Sequence, residues 1–318
     1  MTLPDFIIIG AAKAGTTSLY ALLDRHPDIF MPTPKEPEFF ARDDRYADGI
    51  DRYAELFADA APHQKVGEAS TIYSLAPFFG QTAQRIKTHL PDVKLIYVMR
   101  EPVSRAYSFY VQLIKNYQNV TGDHNVHRTF EEFIAPERDA TVAPRDKVLS
   151  SANDHLPDDP ELCLSGSDYV QQIDAYLAQF PREQILFLTF EAFVSDRIAT
   201  LRRITDFIGV SPLPDSVFSQ DGVTRNVSSD HFAALGGDIA ARNMRARAGG
   251  VWTFRKLIPQ NLRRRLKAFL GRRRSRGGTH VPAPMRSDTR HRLEARFAAG
   301  RDALEARTGL DLSDWTPS

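Results

Sequence analysis

Three short apolar runs stand out from a mostly polar background: DFIIIG at residues 5–10, VKLIYVM at 93–99 and ILFLTF at 185–190. They are brief, rich in branched side chains and show no polar alternation, which fits strands covered on both faces in a parallel sheet. Helical spacing lies between them. A helix is expected from about Thr17 to Arg25, ended by the His26-Pro27 pair, because a residue before proline avoids the helical region. Another opens after the second run with Pro102 in its first turn, where proline is tolerated, and continues to about Tyr117. Ser167 reads as the N-cap of a helix to Phe180. Further helices are expected over about 196–208 and 287–307. Residues 29–45 hold three prolines and read as a loop with a turn near Pro34, and 119–166 read as a polar variable loop. No internal repeat is visible. Strands alternating with helices imply an α/β fold of three layers around a central, mainly parallel sheet with right-handed crossovers. The chain reads as one domain over 1–318. In such sheets ligands bind at the carboxyl ends of the strands, here just after Ile9, after Met99 and near the end of the third run.

Composition narrows the class. At 318 residues, 42% hydrophobic and 25% charged, the chain can bury a full core and is not a disordered segment. Cys163 is the single cysteine, so no intrachain disulfide forms, which fits a reducing compartment. No window of 18 uninterrupted apolar residues occurs, and the N-terminus lacks a basic stretch before its apolar run. The expectation is a soluble, cytoplasmic protein.

The charge distribution is uneven. Of 41 Lys and Arg, ten fall within 255–276 with no acid among them, leaving 31 against 40 Asp and Glu elsewhere, a net −9. Phe254, Ile258, Leu262, Leu266, Phe269 and Leu270 recur mostly at four-residue steps, so the block reads as a basic amphipathic insertion at about 250–280, broken or begun near Pro259. Three roles stay open for it: a lid with a solvated basic face, an electrostatic collar for an anionic ligand, or attachment of 254–276 to an anionic membrane at its inner face. No aromatic stacking platform accompanies the block, which argues against nucleic acid.

Candidate chemistry lies after the first two runs. Gly10-Ala11-Ala12-Lys13-Ala14-Gly15-Thr16-Thr17-Ser18 follows a strand and opens a helix. Small residues let backbone amides approach an anion, the helix N-terminus adds a favourable dipole, and Lys13 adds a mobile cation. The spacing departs from the nucleotide-triphosphatase loop: the lysine precedes the second glycine by two residues, and Thr16 takes its usual place. A triphosphatase needs an Asp at the end of a second strand to hold Mg²⁺, whereas VKLIYVM runs into Arg100. Arginine attracts an anion, and Ser108 on the following helix can share it. The competing reading makes Arg100 a surface ion pair with Glu101 or Glu68. The loop and Arg100 together favour a ligand with two separated phosphate groups and no metal.

The runs FIIIGAAKAGTTSL, KEPEFF at 35–40 and YVMREPVSRAYS at 97–108 resemble the sulfotransferases that use 3′-phosphoadenosine 5′-phosphosulfate (PAPS). The likeness is to the bacterial and Golgi carbohydrate branch that includes the heparan sulfate sulfotransferase domains. It extends to RLEARFAAGRDALEARTGLDLSDW and is weak in 119–166 and 225–275. It implies that backbone amides of Ala14, Gly15, Thr16, Thr17 and Ser18, with the two threonine hydroxyls, hold the 5′-phosphosulfate. Lys13 would span the bridging oxygen, Arg100 and Ser108 would hold the 3′-phosphate, and Glu36 would be the base. Arg276, in RGGTH, matches a late cofactor contact. Three positions depart from the branch: Glu38 replaces a histidine, Ala41 an acid, and Ala69 a lysine. Lys35 or an arginine of the basic block is then the candidate for balancing transition-state charge.

The chemistry suits these residues. A hydroxyl attacking sulfur loses its proton to a nearby carboxylate, and a lysine stabilises charge on the leaving oxygen. No metal-ligand spacing of His and Cys occurs; His124 and His127 are weak candidates for acceptor contacts. Glu36 lies between Pro34 and Pro37, with Phe39 and Phe40 as an apolar wall, and an extended segment would point Glu36 and Glu38 to opposite sides. The expected function is transfer of the sulfonate of PAPS to a hydroxyl of a carbohydrate or glycolipid. The alternatives are a kinase with a related loop and a non-enzymatic protein that binds membrane surfaces.

Overall fold

β1 (Phe6–Gly10) is buried along its whole length, because both of its edges and both of its faces are occupied. It is the middle strand of a five-stranded sheet of order β2–β3–β1–β4–β5, every pair parallel. The others are β2 (Ile29–Phe30), β3 (Lys65–Ala69), β4 (Lys94–Met99) and β5 (Ile185–Thr189). Ile8 lies opposite Ala69 on one side and Ile96 on the other. The chain leaves β1 for β2 and β3 on one side, then crosses to β4 and β5. This reversal places the topological switch point at the carboxyl ends of β1 and β4, where α/β sheets bind ligands.

The computed structural model describes residues 1–33, 35–121, 129–135, 163–212 and 282–315. The turn expected at Pro34, His124, His127 and the basic segment at about 250–280 with Arg276 lie outside them. The chain forms two compact units: Met1–Tyr110 with Asp159–Asp221 and Pro284–Ser318, and Val111–Asp158 with Gly222–Ala283. The first unit carries the sheet and the site residues treated below.

The helices follow local signals with instructive departures. α1 is Thr16–Leu23, beginning one residue and ending two residues earlier than expected. α2 (Asp43–Tyr46) and α3 (Ile50–Ala54) are short. α4 (Thr82–His89) and β3 fall in the stretch 46–92, to which the hydrophobic pattern assigns nothing. α5 spans Pro102–Thr121, and α6 (Phe130–Phe133) sits where only a loop is expected. A reciprocal cap fixes α6: Thr129 Oγ1 accepts from Glu132 N and Glu132 Oε2 accepts from Thr129 N. α7 (Tyr169–Leu177) starts after Asp168, not at Ser167. Ser167 is buried and serves Arg105 instead: its Oγ accepts from Arg105 Nη1 at 2.9 Å and donates to Cys163 O at 2.7 Å. The third apolar run ends as a strand at Thr189, whose hydroxyl caps α8 (Phe190–Ser195). α9 (Arg197–Ile208) lies between the Asp196 cap and left-handed Gly209. The last helix is two, α10 (Ser287–Ala298) and α11 (Arg301–Thr308), parted at Gly300.

β3 shows why pattern reading misses a central strand. Its sequence, KVGEA, holds a lysine, a glycine and a glutamate, yet four of its five residues are buried. Gly67 is required by space: a Cβ there would lie 2.2 Å from Phe6 Cζ and 2.5 Å from Met31 Sδ. Glu68 is fully buried and accepts from Tyr53 OH at 2.9 Å and Ser70 Oγ at 2.5 Å. The apolar-run test fails because this strand's polar residue is satisfied by Tyr53, well before the strand, and by Ser70, just past its end.

Candidate active site at the carboxyl ends of β1, β3 and β4

The loop after β1 is tied to the sheet at its base. Ala11 N donates to Val98 O of β4 at 2.7 Å, and the 3₁₀ turn Thr71–Ser74 packs so closely on Gly10 that a Cβ there would meet Ser74 Oγ at 2.3 Å. Lys13 and Gly15 adopt positive φ of 74° and 80°, so the chain curls before entering α1. Gly15 is the N-cap of α1, and neither a capping side chain nor an acidic residue serves that first turn. The helical ladder of α1 opens with Leu19 N donating to Gly15 O at 3.0 Å, which leaves the amides of Thr16, Thr17 and Ser18 for an external acceptor. Thr16 is buried, whereas Lys13, Thr17 and Ser18 are half-buried. The curl, the uncapped amides and the dipole suit a phosphate-sized anion.

Arg100 joins this loop from β4. Tyr169 of α7 clamps its backbone, donating to Arg100 O at 2.8 Å and accepting from Arg100 N at 3.2 Å. The guanidinium donates to Lys13 O at 3.2 Å and lies over the Phe190 ring, 4.8 Å from its centroid. The ion-pair reading of Arg100 is not what the structure holds. Glu101 accepts from Val103 N and Ser104 N, both at 2.7 Å, capping α5, and Glu68 is committed to Tyr53 and Ser70. Ser108 is half-buried on α5, in its second turn. The loop and Arg100 are thus brought together across the switch point.

Residues 35–38 run beside the end of β3. Glu36 N donates to Ala69 O at 3.1 Å and Glu38 N to Ser70 Oγ at 2.9 Å. The segment is not extended: Glu36 and Glu38 have φ of 62° and 55°, so the alternation expected of them does not apply. Glu36 Oε1 accepts from Lys35 Nζ and from Thr71 Oγ1, the latter at 3.5 Å. Glu38 is buried, and its Oε2 makes no hydrogen bond, with Arg45 Nη1 at 3.5 Å and Arg42 Nη1 at 3.9 Å. Burial pushes the Glu38 carboxyl up to about 7 against the pull of Arg45, with Glu36 adding to the rise. Burial likewise raises Glu68 to about 7, opposed by hydrogen bonds from Ser70, Tyr53 and Tyr73. Phe39 and Phe40 are buried, Phe39 stacked on Tyr53 at 4.6 Å and Phe40 edge-on to Tyr53 at 5.1 Å.

Sequence reasoning names Lys13, the loop, Arg100 and Glu36 as candidates, takes Glu68 only as a possible partner of Arg100 and as the glutamate before Ala69, and does not name Tyr169, Phe190 or Tyr53.

The sulfotransferase domain family matches residues 3–235, and the chain belongs to that family. Over 208 residues it is 31% identical to heparan sulfate glucosamine 3-O-sulfotransferase 3B1 of Mus musculus, covering 65% of this chain and 46% of that protein. The protein of the same name from Homo sapiens is 30% identical over the same share. The chain thus spans about half the length of the curated relatives it matches. A solved sulfotransferase from Alicyclobacillus acidocaldarius is 26% identical and aligns over 99% of both chains with a TM-score of 0.61.

Proposed function

We propose that this chain is a sulfotransferase that moves the sulfonate of PAPS to a hydroxyl of a carbohydrate. The observation that carries the reading is the meeting of Arg100 with the loop after β1: Arg100 Nη1 donates to Lys13 O at 3.2 Å beside the uncapped first turn of α1. The Arg100 guanidinium and a set of open amides then meet at the loop that carries Lys13, which suits a ligand carrying two anionic groups. Membership of the sulfotransferase domain family and the heparan sulfate relatives support the donor and the acceptor class.

PAPS, when bound, supplies an activated sulfonate on a phosphate leaving group. In this reading the amides of Gly15 to Ser18 hold the 5′ end, the expected Ala14 amide being taken by Ala11 O at 3.1 Å, and Arg100 with Ser108 holds the 3′-phosphate. Glu36 takes the proton of the attacking hydroxyl while a bond forms between its oxygen and sulfur. The bond from sulfur to the phosphate oxygen breaks, and Lys13 balances the charge left on that oxygen. Glu36 reaches the same end of the sheet through Thr71, whose turn packs on Gly10.

Incubation with sulfur-labelled PAPS and a heparan sulfate oligosaccharide tests this, with a chelator present in one arm. Label in the oligosaccharide, unaffected by chelation, is expected. Transfer of phosphate from ATP instead would establish the kinase reading, and label only in a lipid fraction of added membranes would overturn the carbohydrate acceptor.

A further inference from the structure

Lys35 and Glu36 are neighbours in sequence, and ordinarily adjacent side chains do not need each other. Here the backbone forces the meeting. Glu36 and Glu38 hold positive φ, which non-glycine residues rarely keep unless their surroundings fix it. The fixing bonds are Glu36 N to Ala69 O and Glu38 N to Ser70 Oγ, both on the end of β3. In that course Lys35 is nearly buried, at 8% exposure, and its ammonium lies on Glu36 Oε1, while Glu36 is 20% exposed. A lysine taken this far out of water needs a carboxylate to replace its hydration.

The arrangement is lopsided. Glu36 Oε1 accepts from both Lys35 and Thr71, whereas among the described residues none donates to Oε2. One carboxylate oxygen is anchored and the other is left for an external proton. The charges around the group are the carboxylates of Glu38, on the same segment, and Glu68, on β3. Arg45 and Arg42 of the α2 region face Glu38 rather than Glu36. Lys35 is thus the cation in contact with Glu36 among the described residues.

We propose that Lys35 is a positioning residue that acts through Glu36: it fixes the carboxylate by Oε1 and leaves Oε2 as the proton-accepting oxygen. The proposal rests on Glu36 being the base. It differs from a lysine that balances charge on the reacting groups directly, because the ammonium is already engaged by Glu36.

The test is a double-mutant cycle on the full chain with K35M, K35R, E36Q and K35M/E36Q. Sulfonate leaving sulfur-labelled PAPS is counted, whether it reaches a heparan sulfate oligosaccharide or water. Loss of positioning is expected to lower kcat about 100-fold in K35M. The KM for PAPS and calorimetric affinity for the desulfonated nucleotide should stay within about threefold, since uniform binding is not what is removed. K35R, which restores a donor cation, should recover most of the rate. K35M should add nothing to E36Q, because residues that act as a unit are not additive. The same factor lost in both backgrounds, or K35R as slow as K35M, overturns the proposal. An E36Q enzyme as fast as the wild type removes the base assignment itself, a separate result. Should K35M fail to fold by thermal melting, K35Q takes its place in the cycle.

Discussion

At the scale of single residues, Glu38 is the position where this chain departs most clearly from the pattern it resembles. A carboxyl stands where the branch has histidine, buried, with its Oε2 near two arginines but hydrogen-bonded to neither. Its carboxyl titrates near 7 rather than 4.5, chiefly through burial. In the unfolded chain the group ionises near its ordinary value. Between about 4.5 and about 7 the folded protein therefore holds the extra proton, and folding stability falls as pH rises through that window. Replacing Glu38 with Gln removes this contribution. The stability of the wild type minus that of E38Q should fall by on the order of 1 kcal/mol per pH unit up to neutrality and level off above. Urea unfolding of both proteins at several pH values measures it, and a difference that is constant across the window contradicts the assignment. E38Q should also keep measurable sulfonate transfer, in contrast to E36Q. The identities of Lys13, Arg100 and Glu36 as candidates were legible because each lies inside a local motif. Glu68, Tyr169 and Phe190 were not, because their significance comes from partners about 15 to 90 positions away.

At the scale of elements, the strands legible in the sequence are those whose every residue meets an apolar neighbour. β1, β4 and β5 announce themselves by composition; β3 does not, although it lies between β2 and β1 and carries the end on which Glu36 and Glu38 are hung. Its glycine substitutes for a side chain because Phe6 and Met31 fill the space, and its glutamate is matched by Tyr53 and Ser70. The displaced start of α7 has the same origin. Ser167 is a good cap by local rules, but a buried arginine claims its hydroxyl. The close packing of β3 gives a direct expectation. Gly67→Ala places a Cβ 2.2 Å from Phe6 and 2.5 Å from Met31, and relief requires both side chains to shift inside a packed sheet. The cost should reach about 3 kcal/mol, at the upper end for overpacking. Gly80→Ala is the control: the nearest atom is Ala76 O at 3.6 Å, and its effect should stay within about 0.5 kcal/mol. Chemical denaturation of the two variants separates them, and equal costs would show that the strand yields more easily than its contacts imply.

At the scale of the molecule, the sheet order concentrates unlike contributions at one crevice. β1 supplies the loop, β3 the anchor for Glu36, β4 the arginine, and α7 and α8 the tyrosine and phenylalanine that aim it. An α/β fold was expected from the alternation of runs, and the parallel sheet bears this out; the strand order was not readable, because an unseen β3 left the switch point undefined. Arg100 is the residue where these contributions converge, through Lys13 O, Tyr169 and the Phe190 ring. If it holds the 3′-phosphate of PAPS, its loss should be felt by that group and not by the 5′ end. Arg100→Ala should weaken PAPS binding by about 2–5 kcal/mol, the range for truncating one partner of a buried charge pair. Adenosine 5′-phosphosulfate, which lacks the 3′-phosphate, should lose far less. Because Arg100 also donates to Lys13 O, some slackening of the loop will touch both nucleotides, so the quantity that decides is the difference between them. Arg100→Lys should restore charge without the forked geometry and fall between the two. Calorimetry with each nucleotide on all three proteins reads this out, and an equal loss for both nucleotides in Arg100→Ala would assign Arg100 to shaping the loop instead of to reading the phosphate.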